Sequence, residues 1–258
     1  AKMLGKEEAY QDLDNRSHSW LNYFDESTGF VRGKSSTGEW REDFNPFNAS
    51  RIANEYCEGN AWQYTWLVPQ DLDLLVECFG GVESTLERLD GLFTADTKME
   101  GEDVTPDISG LIGQYVHGNE PSHHIIYFYT MLGEPWKAAD RLYEVMATMY
   151  STEPDGLSGN EDVGQMSAWY VMTTLGFYPV EPASGKYVLG VPMVDGAEID
   201  VEGGIFRVER LGYSEANRYV QSVELNGVAL DRNYITHEEV IAGGLLKFNM
   251  GAEKSVWY

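Results

Sequence analysis

The sequence predicts a mainly α chain with a β-rich C-terminal part. Apolar residues recur at helical spacing through residues 1–181. From residue 182 onward, short runs typical of strands take over. An Asn226-Gly227 pair between Leu225 and Val228 marks a hairpin within that second region. The expected organisation is a helical part, 1–181, followed by a β part, 182–258.

The first predicted helix covers residues 6–24, with Leu13, Trp20 and Phe24 among its apolar positions. Residues 61–79 predict one or two helices interrupted at Pro69, because proline removes a backbone donor. Residues 82–93 follow, with Leu86, Leu89 and Phe93 on one face. The acidic stretch 95–109 reads as a surface loop or a short helical insert. Helices over 122–132 and 135–150 are separated by Gly133, and Pro135 suits the first turn of the second. The last helix, 163–175, is stopped by Gly176 and Pro179. The predicted strands are Tyr187-Val-Leu189, Glu198-Ile-Asp-Val201, Ile205-Phe-Arg-Val208, Tyr219-Val-Gln-Ser-Val-Glu-Leu225 and Leu245-Leu-Lys-Phe248.

With 258 residues, 43% hydrophobic, the chain can build one large core or two domains. Its net charge of −24 repels phosphates, which disfavours nucleic acid and anionic membranes as partners. No apolar run approaches the roughly 20 residues of a membrane span. Residues 1–20 lack the charged start and apolar core of a signal peptide. Cys57 and Cys78 are too few for a disulfide framework, and whether they pair is left open. The 7 Trp and 16 Tyr suit stacking on sugar rings as well as ordinary core packing.

Four loops carry polar residues that packing does not explain. In Glu55-Tyr-Cys-Glu-Gly-Asn-Ala-Trp-Gln-Tyr64, Glu58 stands before Gly59 and close to Trp62, Gln63 and Tyr64. A carboxyl enclosed by aromatic rings resists ionisation and can act as a general acid. The competing reading is a surface glutamate ahead of a helix. In His117-Gly-Asn-Glu-Pro-Ser-His-His124, Asn119, Glu120, His123 and His124 are ligand-type residues, and Glu120 before Pro121 is a poor helix cap. Binding of sugar hydroxyls and oxygen ligation of a hard cation through Glu120 or Asn119 both fit. Zinc is disfavoured, because adjacent histidines on a helix point about 100° apart. In Gly156-Leu-Ser-Gly-Asn-Glu-Asp-Val-Gly-Gln-Met-Ser-Ala-Trp-Tyr170, Asn160, Glu161 and Asp162 crowd a glycine-bounded turn. Asp162 with Gln165 also fits a helix capping box, a purely structural role. In Phe30-Val-Arg-Gly-Lys34, Arg32 either binds substrate, tunes a carboxylate, or is simply exposed.

Taken together, the chain resembles glycoside hydrolase family 92, the calcium-dependent exo-acting α-mannosidases. The matching stretches are Thr28-Gly-Phe-Val-Arg-Gly-Lys34, Glu58-Gly-Asn-Ala-Trp-Gln-Tyr64, Val68-Pro-Gln-Asp71, His117-Gly-Asn-Glu-Pro-Ser-His-His124, Gly133-Glu-Pro-Trp-Lys137, the Gly156–Tyr170 segment and Gly176-Phe-Tyr-Pro-Val180. The resemblance implies an N-terminal β-sandwich followed by an (α/α)6 barrel, with strands near the C-terminus. Here it implies a partial (α/α)6 barrel of about six or seven helices followed by an antiparallel β-sheet or sandwich, the N-terminal sandwich being absent.

The implied reaction removes terminal α-linked mannose from glycans with inversion, using an acid on the leaving oxygen and a base on water at the opposite face. By resemblance, Glu58 matches the acid and Asp162 the base. Asn160 stands where some members carry a second, assisting aspartate; as an amide it takes no proton. Trp62, Gln63, Glu120, His123 and Arg32 are the expected substrate contacts, and Asn119 and Glu120 the expected Ca2+ ligands. Calcium suits the flexible, oxygen-only ligation of sugar hydroxyls. The resemblance further implies a periplasmic or secreted protein and a pocket completed by the N-terminal sandwich, so these residues alone are expected to turn over little. The competing readings are another inverting (α/α)-barrel glycosidase, acting on α-glucosides, and a non-catalytic carbohydrate-binding module, which would lack the acid–base pair.

Overall fold

The computed structural model describes residues 1–52 and 55–258. The described chain divides into two compact units, Ala1–Ser122 and His123–Tyr258. The predicted changeover from helical to β character stands at 181/182, whereas the compact units divide at 122/123.

In the first unit, α1 (Glu7–Ser17) buries no residue and gives way to a 3-10 turn at Ser19–Tyr23, so residues 6–24 are not one helix. Two short strands follow, β1 (Phe24–Asp25) and β2 (Phe30–Val31), paired antiparallel. Two helices, α2 (Ala61–Tyr64) and α3 (Leu72–Cys78), flank the interruption at Pro69. In α4 (Val82–Thr94), Thr85, Leu89, Leu92 and Phe93 are buried at the spacing of one helical stripe. Residues 95–109 form a loop, tied to the preceding chain by bridges Asn48–Glu100 and Ser50–Val104. The antiparallel pair β3 (Leu111–Ile112) and β4 (Tyr115–Val116) leads into the histidine-rich segment.

In the second unit, the helix predicted at 122–132 shrinks to α5 (Tyr127–Met131), whose Tyr127, Phe128, Tyr129 and Thr130 are all buried. Next comes α6 (Pro135–Thr148), which opens on its proline and buries Ala138, Ala139, Leu142 and Val145, and then α7 (Gln165–Thr174). The strands are β5 (Phe177–Tyr178), β6 (Lys186–Leu189), β7 (Gly196–Val201), β8 (Gly204–Leu211), β9 (Tyr219–Leu225), β10 (Val228–Ala229) and β11 (Tyr234–Thr236); α8 (His237–Ile241) precedes β12 (Gly244–Gly251). One sheet has the order β11-β6-β5 and the larger one β10-β9-β12-β8-β7.

The predicted hairpin is present: Asn226 and Gly227 carry φ of 53° and 79°, the left-handed pair that matches strand twist. The larger sheet departs from a purely antiparallel one. β12 pairs antiparallel with β9 but parallel with β8. A parallel pair needs a long crossover, and the chain supplies it by building β9, β10, β11 and α8 before β12 enters between β8 and β9. Inward residues alternate as a half-buried sheet requires: Phe206, Val208 and Arg210 in β8, Leu246, Phe248 and Met250 in β12. The short α8 escaped the sequence reading although Thr236 and Glu239 form a complete capping box.

Candidate active site

Glu58 occupies a left-handed turn with φ 57°. That conformation crowds the Cβ of an L-residue and persists only where neighbours enforce it. The turn rests on a buried amide network. Asn60, fully buried, caps α2 by accepting from Trp62 N at 2.9 Å, while its own N–H donates to Gln63 Oε1 at 2.8 Å. Asn60 Nδ2 donates to Gln114 Oε1 at 2.8 Å, and Gln63 Nε2 donates to the Gln114 carbonyl at 2.6 Å. Gln114 in turn donates to the Asp96 carbonyl at 2.5 Å, which ties the turn to the acidic loop. Tyr64 donates its hydroxyl to the Cys57 carbonyl. Burial, together with Cys57 and Glu58 nearby, pushes that phenol up to about 12, so it stays a donor at neutral pH.

The Glu58 side chain is exposed, so the enclosure by aromatic rings expected from the sequence is not what the turn provides. The chain bends away so that Trp62 packs against Phe30 and Phe47 at ring distances of 5.2 and 5.7 Å, inside its own apolar cluster. Glu58 instead lines a cleft of about 400 Å3 with Arg51, Tyr56, Cys57, Thr105 and Asp107. Buried Asn119 reaches it from the histidine-rich segment, donating Nδ2 to the Glu58 carbonyl at 3.0 Å and to Oε2 at 3.4 Å. Glu120, next to it, is exposed at the start of a 3-10 turn.

In the second unit, Asp162, Val163 and Gly164 carry successive φ of 50°, 56° and 97°. For Val163 this is an outlier, since a β-branched side chain tolerates the region poorly. The expected capping box is absent: the N-cap of α7 is Gly164, and no side chain caps it. Glu161 makes the bond instead, accepting from Ser167 N at 2.9 Å. Hydrogen bonds from the Ser167 side chain and its N–H hold the Glu161 carboxyl below the usual carboxylate range. Gln165 points elsewhere, donating to His123 Nδ1 at 3.0 Å and to the Tyr178 hydroxyl at 3.2 Å. The His123 carbonyl accepts from Trp169 Nε1 at 3.0 Å, so His123, only 2% exposed, is locked to α7 from both ends. Asp162 is thus freed from capping and stands exposed beside exposed Asn160.

Each unit therefore assembles part of the predicted set: Glu58 with Asn119 in the first, and the Asp162 turn with His123 in the second. Gln63 is 2% exposed and committed to the amide network. Arg32 is buried against Asp25 at 3.0 Å, donates to the Arg41 carbonyl and lies over the Phe44 ring at 4.3 Å. Both side chains hold the scaffold, and neither is presented to a ligand. His117 is fully buried beside the Tyr115 hydroxyl at 2.9 Å. Cys57 and Cys78 are free thiols. Among the described residues, no three His, Cys, Asp or Glu side chains gather to hold a metal. Asn119 and Glu120 are oxygen donors of the kind calcium accepts, and a shell of six to eight oxygens needs others beside them. Of the supporting residues, Gln114 lies in the turn between β3 and β4 and Tyr178 in β5, and neither gives a local sign of its role. Asn60 was legible, because Asn followed three residues later by Gln is a capping-box signature.

The description "glycosyl hydrolase family 92 catalytic domain" matches residues 1–252. The α-mannosidase BT3965 of Bacteroides thetaiotaomicron, solved with mannoimidazole, superposes with a TM-score of 0.89 at 38% identity, covering 98% of this chain and 34% of that one. The inverting mannosidase BT2199 of the same organism gives 0.83 at 32% identity, covering 98% and 35%. An uncharacterized secreted glycosidase of Arthroderma benhamiae is 28% identical over 99% of this chain and 34% of its own length. The chain thus spans about a third of the length of the relatives it matches.

Proposed function

We propose that this chain, which belongs to glycoside hydrolase family 92, carries the acid and base of an inverting, calcium-dependent exo-α-mannosidase that releases terminal α-linked mannose from glycans. One observation supports this most. Glu58 and Asp162 are two of the six described non-glycine residues at positive φ, with Asp43, Asp103, Val163 and Asn226, and the turns of both are held by neighbouring side chains. Backbone strain on an exposed carboxylate has no packing purpose, and such strain collects where a side chain must be aimed. The superposable structures are of mannosidases, which supports the substrate class, and one of them is an inverting enzyme.

In this reading, protonated Glu58 gives its proton to the glycosidic oxygen as the C1–O bond breaks, and that oxygen keeps the bond electrons. A water on the opposite face bonds to C1 and passes its proton to Asp162, giving mannose of inverted configuration. Glu120 contacts sugar hydroxyls, while His123, 2% exposed and bonded to Gln165 and Trp169, braces the Asp162 turn. Asn119 and Glu120 contribute oxygen ligands to calcium, which when bound polarises sugar hydroxyls and favours a flattened ring. The helices belong to an (α/α)6 barrel, and the complete pocket belongs to an enzyme of the relatives' length, including an N-terminal sandwich. Export from the cytoplasm fits the secreted Arthroderma relative.

The test is release of mannose from α-mannobiose by an enzyme of that length carrying these residues, followed by NMR of the first anomer formed. The reading expects β-mannose first and loss of turnover with a calcium chelator. α-Mannose first, or turnover unchanged in Glu58→Gln and Asp162→Asn variants, contradicts it.

A further inference from the structure

We infer that Asn119 is a positioning residue for the general acid: its single amide nitrogen clamps both the main chain and the carboxyl of Glu58. The inference rests on the reading of Glu58 as that acid. A glutamate has three side-chain torsions, and one exposed on a cleft wall is free to sweep through them. Acid catalysis needs its oxygen held to within about 0.5 Å of the productive geometry. Enclosure does not supply this hold, because Glu58 is exposed.

The hold comes from across the turn. Asn119 Nδ2 has two protons and two acceptors: the Glu58 carbonyl at 3.0 Å and Oε2 at 3.4 Å. One bond fixes the left-handed backbone, whose φ is 57°, and the other fixes the end of the side chain. Asn119 is itself immobilised. It is 4% exposed, its carbonyl accepts from Ser122 N at 3.3 Å, and Ser122 Oγ accepts from Val116 N at 3.2 Å. On the far side, Tyr64 holds the Cys57 carbonyl and Asn60 is anchored in the amide network. Cys57, Glu58 and Asn60 are therefore each bonded through a named side chain or cap.

The arrangement also selects an oxygen. With Oε2 accepting from Asn119, the acidic proton resides on Oε1. The proton transferred to the leaving group is then the Oε1 proton, and the carboxylate left behind keeps the Asn119 bond. An Asn119 that served only as packing would not make the reaction sensitive to the leaving group.

The experiment compares wild type, Asn119→Ala and the isosteric Asn119→Asp, which keeps the shape and loses the Nδ2 donor. They are assayed in an enzyme of the relatives' length on 2,4-dinitrophenyl α-mannoside, whose leaving group needs no proton, and on α-mannobiose, whose leaving group does. Glu58→Gln runs in parallel, and calcium affinity is measured for each. At saturating calcium, the inference expects the ratio of kcat on mannobiose to kcat on the dinitrophenyl substrate to drop about 10²-fold in both Asn119 variants, the lower end of what general acid catalysis contributes. Equal losses on both substrates, or no loss, overturn it. So does a changed calcium affinity with unchanged leaving-group dependence, which assigns Asn119 to the metal alone. If Glu58→Gln shows no leaving-group dependence, the acid assignment itself fails, whatever Asn119 does.

Discussion

The Glu58 and Asp162 turns solve one problem in two ways. Both present a carboxylate on a left-handed backbone. The Glu58 turn is held from beneath and across, by Asn60, Gln63, Gln114 and Asn119, which lie in segments up to 61 residues apart in sequence. The Asp162 turn is held mainly through α7: Glu161 bonds Ser167 N nearby, and Gln165 bonds Tyr178 and, 42 residues away, His123. The first is a long-range construction that requires the unit to be folded. The second is mostly an N-terminal elaboration of one helix, and it concentrates its strain in three successive residues.

The largest effect is expected at the second turn itself. Asp162→Asn should lower kcat by about 10²–10⁴-fold, the usual worth of a general base, while binding of mannoimidazole measured by calorimetry is retained. An unchanged kcat removes Asp162 from the comparison. Next in size is the scaffold of the first unit. Arg32→Ala strands buried Asp25, whose partner lies 3.0 Å away, and breaking a buried pair costs about 3–5 kcal/mol. Chemical denaturation of the purified chain reads this directly. The same pair sets an acid limb. Burial raises the Asp25 pKa, but hydrogen bonds from Ser27 and Arg32 outweigh it and leave the carboxyl below its ordinary value. Its contribution is thus complete above the unfolded pKa of about 3.9 and is lost as pH falls through the lower folded value. Melting temperature should decline below about pH 4, and Asp25→Asn should flatten that decline.

Asn60→Ala sharpens the comparison at the first turn. It removes the α2 cap and takes the 2.8 Å donor from buried Gln114 Oε1, and unmade buried hydrogen bonds cost about 1–3 kcal/mol. Because the supports are separate, hydrogen exchange should accelerate at 57–64 and stay unchanged at 161–167. The smallest effect, and one of opposite sign, is expected at Val163. Its side chain is fully exposed, and glycine accepts φ 56° freely. Val163→Gly should therefore stabilise the chain by about 1 kcal/mol, within the range of such strain. A loss of stability would show that the valine is held there for a contact.

Helix positions and the β region were legible because both rest on local periodicity: α4, α6 and the Asn226-Gly227 hairpin follow directly from residue pattern. The parallel seat of β12 beside β8 was not, since strand order depends on pairings far apart in sequence. The same divide runs through the site. The carboxylates Glu58 and Asp162 and the polar residues Asn119 and His123 stood out as unusual residues in glycine-bounded loops. Their partners did not. Gln165 looked like a capping residue but reaches His123, and Gln63 and Arg32 looked available but are buried in the scaffold. Sequence shows which residue types are present; which atoms their hydrogen bonds meet is decided by the fold.

The central claim is that Glu58 and Asp162 work as an inverting pair. The most direct measurement is the separation of their carboxyl groups in a crystal of an enzyme of the relatives' length with calcium and mannoimidazole. The account predicts roughly 6.5–9.5 Å, with the sugar ring between them. A separation of about 5–5.5 Å, the spacing of retaining enzymes, would contradict it, as would two carboxyls on the same face of the ring.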